Sequence, residues 1–170
     1  LAAFAAAKVF DIDSKYIVEG LENYTGTDRR FQYKGTFNGV TVIDDYAHHP
    51  TEVKATLAAA KNIDKKKLWC IFQPHTYSRT YNLLKEFAEA FDDADKIVVA
   101  DIYAAREKDT GLINSSVLVE EIKRRGKDAV YVGGFPAIKE YIKENCTEGD
   151  LLITMGAGDV YLIGEDLVKQ

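Results

Sequence analysis

The sequence has 170 residues, of which 46% are hydrophobic and 29% charged, and its formal net charge is −5. That length allows one globular domain with a buried core and a short appendage. The acidity disfavours a general nucleic-acid binder, which carries a basic patch. No apolar run approaches the ~20 residues of a membrane span, and a secretion signal is absent. We expect a cytoplasmic protein with no nucleic-acid partner and no membrane insertion.

Two short helices are predicted at the start of the chain. The first is alanine-rich, and the second is capped by Asp13 or Ser14. A plausible hinge at 26–28 follows. Because the chain begins inside a helical pattern without an initiator Met, we expect residues 1–25 to be the tail of a neighbouring domain and 26–170 to form the main domain.

A β-hairpin is predicted next. The dipeptide Asn-Gly at 38–39 lies between two strand-like runs and supplies the positive φ that a two-residue hairpin turn needs. Pairing across this turn brings Arg29 and Arg30 close to the aspartates at 44–45.

Strands and helices then alternate to the end of the chain. The predicted helices are 51–62, 81–91, 116–126, 135–145 and 159–169, and the predicted strands are 67–73, 96–102, 129–133 and 151–155. This alternation indicates an α/β fold. The expected architecture is a mostly parallel, doubly wound (Rossmann-like) sheet with helices on both faces and an antiparallel N-terminal hairpin. Cys70 lies in one strand, where a small buried hydrophobe is expected, and a disulfide is disfavoured.

The run DDYAHHPTE at 44–52 is the densest group of polar side chains, and it lies where a strand passes into a helix. One cap and Pro50 in the first turn satisfy the helix start, so the other polar groups have no structural task. Ligands of open α/β sheets bind just beyond the carboxyl ends of the strands. We therefore interpret this run as part of a site.

Three further polar loops are expected at the same edge of the sheet, at 73–80, 101–111 and 154–159. Together the four loops contribute Asp45, Tyr46, His48, His49, His75, Arg79, Arg106, Glu107 and Asp159. All three histidines of the protein are in this set, which favours a functional cluster, although any one of them could only cap a helix.

His75 and Arg79 have helical i, i+4 spacing, which would put both on one face of a helical turn. An arginine beside an imidazole can hold a carboxylate or phosphate; the alternative is an exposed arginine at a helix start. The GAGD turn at 156–159 would let the backbone approach a ligand, but an ordinary tight turn explains it equally well.

Several common sites have no counterpart in the sequence. It contains no GxxxxGK[ST] phosphate loop, no zinc-type Cys/His spacing and no GxSxG elbow. We expect no dedicated metal site in this chain.

The motifs DDYAHHPTEV, FQPHTYSRT, DIYAAREKDTG and TMGAGDV, in this order, resemble the C-terminal domain of the Mur ligases. The likeness is greatest to the member that joins L-alanine to UDP-N-acetylmuramate in peptidoglycan synthesis. It covers about residues 28–170, and the first 25 residues resemble the last helices of the family's central domain.

The resemblance implies an ATP-dependent, amide-forming ligase. In this family an N-terminal domain holds the UDP-sugar, and a central domain carries the phosphate loop and most Mg²⁺ ligands. ATP phosphorylates the muramoyl carboxylate, and the amine of the amino acid attacks the acyl phosphate. The chain's own N-terminal and central domains would be its partners, and without them it should be inactive.

The resemblance also implies roles for individual residues. Arg30 would reach the nucleotide phosphates, Asp45 would lie at the ATP site and Tyr46 against the adenine or ribose. His48 would face the reacting centre, which makes it and Arg30 the catalytic candidates. His75 and Arg79, with His49, would bind the amino acid. Many relatives have an arginine where this chain has Thr76, so here Arg79 would bind the carboxylate of the amino acid without that second arginine.

Other functions remain open at this stage. A murein tripeptide-recycling ligase of the same superfamily shares the chemistry. A non-catalytic nucleotide- or amino-acid-binding module would use the same sheet without a reaction. A response-regulator-like domain also has acidic pairs at strand ends, but it has no use for the imidazole and arginine cluster.

Overall fold

The computed structural model describes residues 1–24 and 26–169. Within these residues it contains eight helices and six strands. The helices are α1 Ala2–Val9, α2 Ser14–Glu22, α3 Pro50–Ala60, α4 Tyr77–Asn82, α5 Leu84–Ala90, α6 Ser115–Arg124, α7 Phe135–Asn145 and α8 Tyr161–Val168. The strands are β1 Gln32–Phe37, β2 Val40–Asp45, β3 Leu68–Phe72, β4 Lys96–Val99, β5 Ala129–Val130 and β6 Leu151–Met155.

The six strands form one sheet in the order β1-β2-β6-β3-β4-β5. β1 pairs antiparallel with β2, and every other pair in the sheet is parallel. The expected fold class is therefore confirmed. Because β2, β3, β4 and β6 run in the same direction, their carboxyl ends and the loops that follow them lie along one edge.

The predicted hairpin forms at the Asn-Gly dipeptide. Asn38 and Gly39 have φ values of 47° and 77°, as the turn requires. The register pairs Phe37 with Val40 at the turn and Gln32 with Asp44 at the open end. The segment before β1 is thereby brought to the carboxyl edge of the sheet.

The core lies on both faces of the sheet. On one face, α3, α5 and α6 cover side chains such as Cys70, Phe72 and Ile153. On the other face, α7 and α8 pack on Trp69, Ile71 and their neighbours. β3 and β6 are buried along their whole length, as expected of central strands covered on both sides. Cys70 is fully buried, as predicted, and burial raises the pKa of its thiol.

The largest differences from the predicted bounds occur in three elements. The helix predicted at 81–91 begins at Tyr77 and is interrupted at Leu83, where φ is −113° and ψ is 24°. The strand predicted at 96–102 stops at Val99, and the one at 129–133 keeps only Ala129–Val130. Apolar composition continues past the last ladder hydrogen bond in both strands, which explains the overestimate.

The first two helices contribute little to the core. Ala2–Val9 contains no buried residue, and in Ser14–Glu22 only Ile17 is buried. Asp13 caps α2 by accepting a hydrogen bond from the Lys15 N–H, as one of the two predicted caps. The domain boundary predicted at residue 25 falls on Thr25, which lies outside the described residues, as does Gln170 at the other end. No helix in the described part of the chain is long and apolar enough to cross a bilayer.

Candidate functional site

Arg29 connects three segments at the carboxyl edge. Its Nε donates to Asp44 Oδ2 at 3.0 Å, and its two terminal nitrogens donate to the carbonyl oxygens of Gly158 at 3.0 Å and Gly156 at 2.6 Å. The guanidinium lies against the rings of Tyr46 and Tyr161, 4.9 and 4.5 Å from their centroids. The predicted approach of the arginine pair to the aspartates is therefore confirmed for Arg29, whose task is structural.

Asp44 is fully buried beneath this arginine. Its Oδ1 accepts a 2.7 Å hydrogen bond from Thr154 Oγ1, and burial raises the pKa of its carboxyl although Thr154 and Arg29 oppose that rise. The neighbouring Asp45 is also buried and accepts hydrogen bonds from the Phe31 and Ala47 N–H groups, both at 2.8 Å, and from Thr56 Oγ1 at 3.2 Å. Both carboxylates hold the turn after β2.

Arg30 differs from Arg29 in being exposed. Its guanidinium carbon is 5.6 Å from the Tyr46 ring centroid, so this tyrosine has a cation near its ring from both arginines. Beside Arg30 lies a cavity of about 490 Å³ lined by residues 26–28 and 30–33. An exposed cation, an aromatic ring and an open cavity fit a nucleotide phosphate and its base or sugar.

The two histidines after Tyr46 begin α3. The Nδ1 atom of His48 is 2.9 Å from the Tyr46 carbonyl oxygen. Because a carbonyl only accepts, Nδ1 carries the proton and the lone pair of the neutral ring is on Nε2. His49 is the N-cap of α3: its Nδ1 accepts from the Thr51 N–H, and Glu52 closes the capping box. A helix cap was one of the roles that the sequence left open for each histidine, and His49 has that role.

Glu52 also fixes the backbone of both histidines. Its Oε2 accepts the His48 N–H at 3.0 Å and the His49 N–H at 3.1 Å. Partial burial raises the pKa of Glu52, but these hydrogen bonds and the nearby His48 ring outweigh burial and hold it below its usual range. The capping glutamate therefore determines where the two imidazoles lie.

His75 and Arg79 meet as their spacing predicted. Arg79 Nη1 is 3.4 Å from His75 Nδ1, and the rings of His75 and His48 are 5.8 Å apart. The guanidinium can only donate, so Nδ1 of His75 accepts. Burial, the Arg79 charge and His48 lower the pKa of His75. At neutral pH the pair thus consists of a cationic arginine and a neutral imidazole whose Nε2–H can donate.

Tyr103 packs on the other side of His75. The two rings are stacked, with centroids 5.5 Å apart and planes at 16°. The Tyr103 N–H donates to the Pro74 carbonyl at 2.8 Å. Tyr46, His48, His75 and Tyr103 therefore form a continuous row of rings at the sheet edge.

The glycines of the GAGD turn make room for protein rather than for a ligand. A Cβ on Gly158 would lie 2.3 Å from Gln73 Oε1 and 2.7 Å from the Tyr103 ring, and one on Gly156 would lie 2.9 Å from the Gln73 carbonyl. Gln73 in turn donates to Asp159 Oδ1 at 2.8 Å. Of the two interpretations left open by the sequence, the close contacts favour the structural turn.

The predicted rim is thus largely one cluster. Asp45, Tyr46, His48, His75 and Arg79 lie together, whereas the side chains of His49 and Arg106 are exposed. The sequence reasoning missed the contributions of Gln73, Tyr103, Tyr161 and Glu52. Tyr103 is in a quoted loop, but its stacking depends on a bridge between residues 75 and 103 that no local pattern indicates.

The described residues contain no preformed magnesium site of their own. Among the described residues, no group of three or more His, Cys, Asp or Glu side chains could hold a metal ion. The nearest carboxylates, Asp44 and Asp45, are committed to Arg29, Thr154, Thr56 and backbone N–H groups.

Comparison with known proteins gives a family and full-length relatives. The family model described as "Mur ligase, glutamate ligase domain" matches residues 29–158. The chain is 57% identical over 169 residues to the UDP-N-acetylmuramate–L-alanine ligase of Lachnospira eligens and 54% identical over 170 residues to that of Caldanaerobacter subterraneus. These matches cover 99% and 100% of this chain but only 37% of each relative.

Solved structures agree with this relationship. A crystal structure of the UDP-N-acetylmuramate–alanine ligase of Thermotoga maritima matches 98% of the chain with a TM-score of 0.80 at 28% identity, using 35% of its own length. A murein peptide ligase of Psychrobacter arcticus matches 98% of the chain with a TM-score of 0.69 at 25% identity, using 34% of its own. The chain therefore belongs to the Mur ligase family, as a C-terminal domain of that family.

Proposed function

We propose that this chain is the C-terminal domain of an ATP-dependent ligase that joins L-alanine to UDP-N-acetylmuramate through an acyl phosphate. The observation that carries the proposal is the pairing of Arg79 with a neutral His75 at the carboxyl edge, in a chain whose full-length relatives are named for this reaction. The chain spans 37% of those relatives, so the activity belongs to a longer protein. A cytoplasmic location is part of the same proposal.

The amino acid would bind at the His75–Arg79 pair. The Arg79 guanidinium would hold the carboxylate of L-alanine, and the Nε2–H of His75 would donate a second hydrogen bond. His49, whose side chain is exposed at the start of α3, would contribute at the margin. Fixing the anionic end of the amino acid orients its amine for attack, which is the main contribution that such a domain can make.

The nucleotide would bind on the Arg30 side of the row of rings. Arg30 would neutralise phosphate charge, and Tyr46 would lie against the adenine or ribose. Asp45 would support the nucleotide site indirectly by holding the loop that carries Tyr46, because its oxygens already accept hydrogen bonds from Phe31, Ala47 and Thr56. His48 lies between the two halves, with its Nε2 lone pair available to the reacting centre.

Other parts of the reaction would come from the rest of the protein. Bound ATP would supply the phosphoryl group, and Mg²⁺ would neutralise its charge, with ligands mostly in a central domain. UDP-N-acetylmuramate would be held by an N-terminal domain. Residues 1–25 would be the end of the central domain, and closure of the domains would exclude water from the acyl phosphate.

A tripeptide-recycling ligase is the second candidate, supported by the likeness to the murein peptide ligase of Psychrobacter arcticus. Both enzymes would use the same cluster and differ in the amine they accept. A non-catalytic nucleotide- or amino-acid-binding module is the third, and it predicts binding without turnover.

The experiment grafts this chain in place of the matching segment of the Lachnospira eligens ligase and follows phosphate release from ATP with UDP-N-acetylmuramate. We expect release that depends on L-alanine, a loss of at least about 100-fold in kcat/KM for Arg79→Ala, and no change for Arg125→Ala, whose guanidinium pairs with Glu89 and Asp92 away from the cluster. The isolated chain should release no phosphate. Release with a tripeptide but not with alanine would select the second candidate, and binding without release the third.

A further inference from the structure

The helix that carries Arg79 begins without a cap of its own. α4 has only six residues, and its N-cap Thr76 makes no capping hydrogen bond with its side chain. Thr76 also has φ 53° and ψ 168°, a conformation that a β-branched residue rarely adopts. Such strain persists only where surrounding contacts hold it, and it is found most often at functional sites.

Glu107 supplies the missing cap from another loop. Its Oε2 accepts the Ser78 N–H at 2.9 Å, and its Oε1 accepts the Ser78 hydroxyl. These hydrogen bonds from Ser78 hold the pKa of Glu107 below its usual range. The carboxylate thus satisfies a free N–H group in the first turn of α4, the place where a negative charge is favourable.

The loop of Glu107 also contacts the turn before α4. Tyr103, four residues earlier, stacks on the His75 ring and donates its N–H to Pro74. The loop is itself folded tightly, since the Glu107 N–H donates to the Ala104 carbonyl at 2.9 Å. The 101–107 segment therefore contacts this stretch at two points, His75 and Ser78, the residue before Arg79.

We propose that Glu107 is a positioning residue of the amino-acid site, which acts by capping α4 and so fixing Arg79 against His75. This inference rests on the proposed function, because it assigns the amino acid to that pair. Glu107 does not contact the substrate in this proposal; it acts on the amino acid only through α4.

The test uses the full-length graft and three variants. Glu107→Ala removes both acceptor oxygens, Glu107→Gln keeps one acceptor oxygen without the charge, and Glu144→Ala removes an exposed glutamate of α7 as a matched control. We expect Glu107→Ala to raise KM for L-alanine about tenfold or more, with KM for ATP unchanged. Glu107→Gln should stay within about threefold of the parent, and Glu144→Ala should equal it.

A second measurement separates failure of this inference from failure of the proposed function. In the isotope-labelled chain, measured by NMR, Glu107→Ala should speed hydrogen exchange of the Ser78 amide. It should also weaken the nuclear Overhauser effects between the His75 and Tyr103 rings. If the parent graft shows no alanine-dependent turnover, the proposed function is wrong, and these two signals alone decide the positioning role. An active graft with an unchanged alanine KM in Glu107→Ala, or unchanged Ser78 exchange, would overturn the inference.

Discussion

At the scale of single residues, adjacent arginines have opposite tasks. The Arg29 guanidinium donates three hydrogen bonds and lies against two aromatic rings, whereas Arg30 is exposed with its guanidinium near one ring. Arg29 itself adopts φ 58°, a left-handed backbone conformation immediately before Arg30. The sequence RR predicts that both approach the aspartates, but only the backbone conformation determines which one is half-buried against Asp44.

Replacing Arg29 tests this division of tasks. Arg29→Ala leaves the fully buried Asp44 carboxylate without its cation and frees two carbonyl oxygens. We expect a loss of about 2–4 kcal/mol in the free energy of unfolding, measured by urea denaturation, with some solvent screening because Arg29 is partly exposed. Arg30→Ala, the matched control, should change it by less than about 0.5 kcal/mol. Equal losses in both variants would contradict the assignment.

The protonation of His75 is a second residue-scale prediction. Burial and then Arg79 lower its pKa, so Arg79→Ala should raise the midpoint of the His75 Hε1 titration measured by NMR, and Arg125→Ala should not. Unfolded histidine binds a proton more readily, with a pKa of about 6.5. Falling pH below that value therefore favours unfolding, and His75→Asn should reduce this acid loss of stability. An unchanged titration midpoint of His75 in Arg79→Ala would show that Arg79 does not influence the His75 pKa.

At the scale of elements, helix starts are where sequence patterns failed. The sequence pattern predicted helices at 51–62 and 81–91, whereas in the structure α3 begins at Pro50 and α4 at Tyr77, and neither is capped by a Ser, Thr, Asp or Asn side chain. His49 caps α3 through a ring nitrogen, and α4 is capped by Glu107 from 29 residues away. Strand LLITM, in contrast, matches its prediction residue for residue, because its burial is set by its own composition.

The cap of α3 can be separated from substrate binding at His49. His49→Ser keeps an acceptor at the N-cap, so the free energy of unfolding should stay within about 0.5 kcal/mol of the parent, whereas His49→Ala should cost about 1 kcal/mol. Thermal denaturation of the chain measures both. In the graft, His49→Ser should raise KM for alanine, since serine lacks the imidazole. An unchanged KM would limit His49 to capping.

The turn between β6 and α8 gives a second element-scale prediction. Gly158→Ala places a Cβ into Gln73 and Tyr103, so we expect a loss of about 1–3 kcal/mol in unfolding free energy and a displaced His75–Tyr103 stack. The matched control is Gly20→Ala in α2, where nothing lies within 4 Å and alanine is the better helix former, which should stabilise slightly. A neutral Gly158→Ala would mean that the turn relaxes freely.

At the scale of the whole molecule, topology assembles the site. The row from Tyr46 to Tyr103 draws on loops after β2, β3 and β4, and it forms because these parallel strands end at one edge. Alternation of strands and helices sufficed to predict that edge and the loops that lie along it. Three features depend instead on distances between loops, which sequence spacing does not give. They are the stacking of the rings, the contact of Arg29 with Asp44 and the capping of α4 by Glu107 from another loop.

The same topology gives a prediction about the extent of the cooperative unit. Only Ile17 is buried in the first two helices, and burying one such side chain contributes about 1.5–3 kcal/mol before the entropy of ordering the segment is subtracted. Removing residues 1–25 should therefore lower the unfolding free energy by less than about 2 kcal/mol. Leu57→Ala, which empties a fully buried position on α3, should cost about 2–5 kcal/mol. A deletion as costly as Leu57→Ala, measured by urea denaturation, would place the first helices within the same folding unit as the sheet.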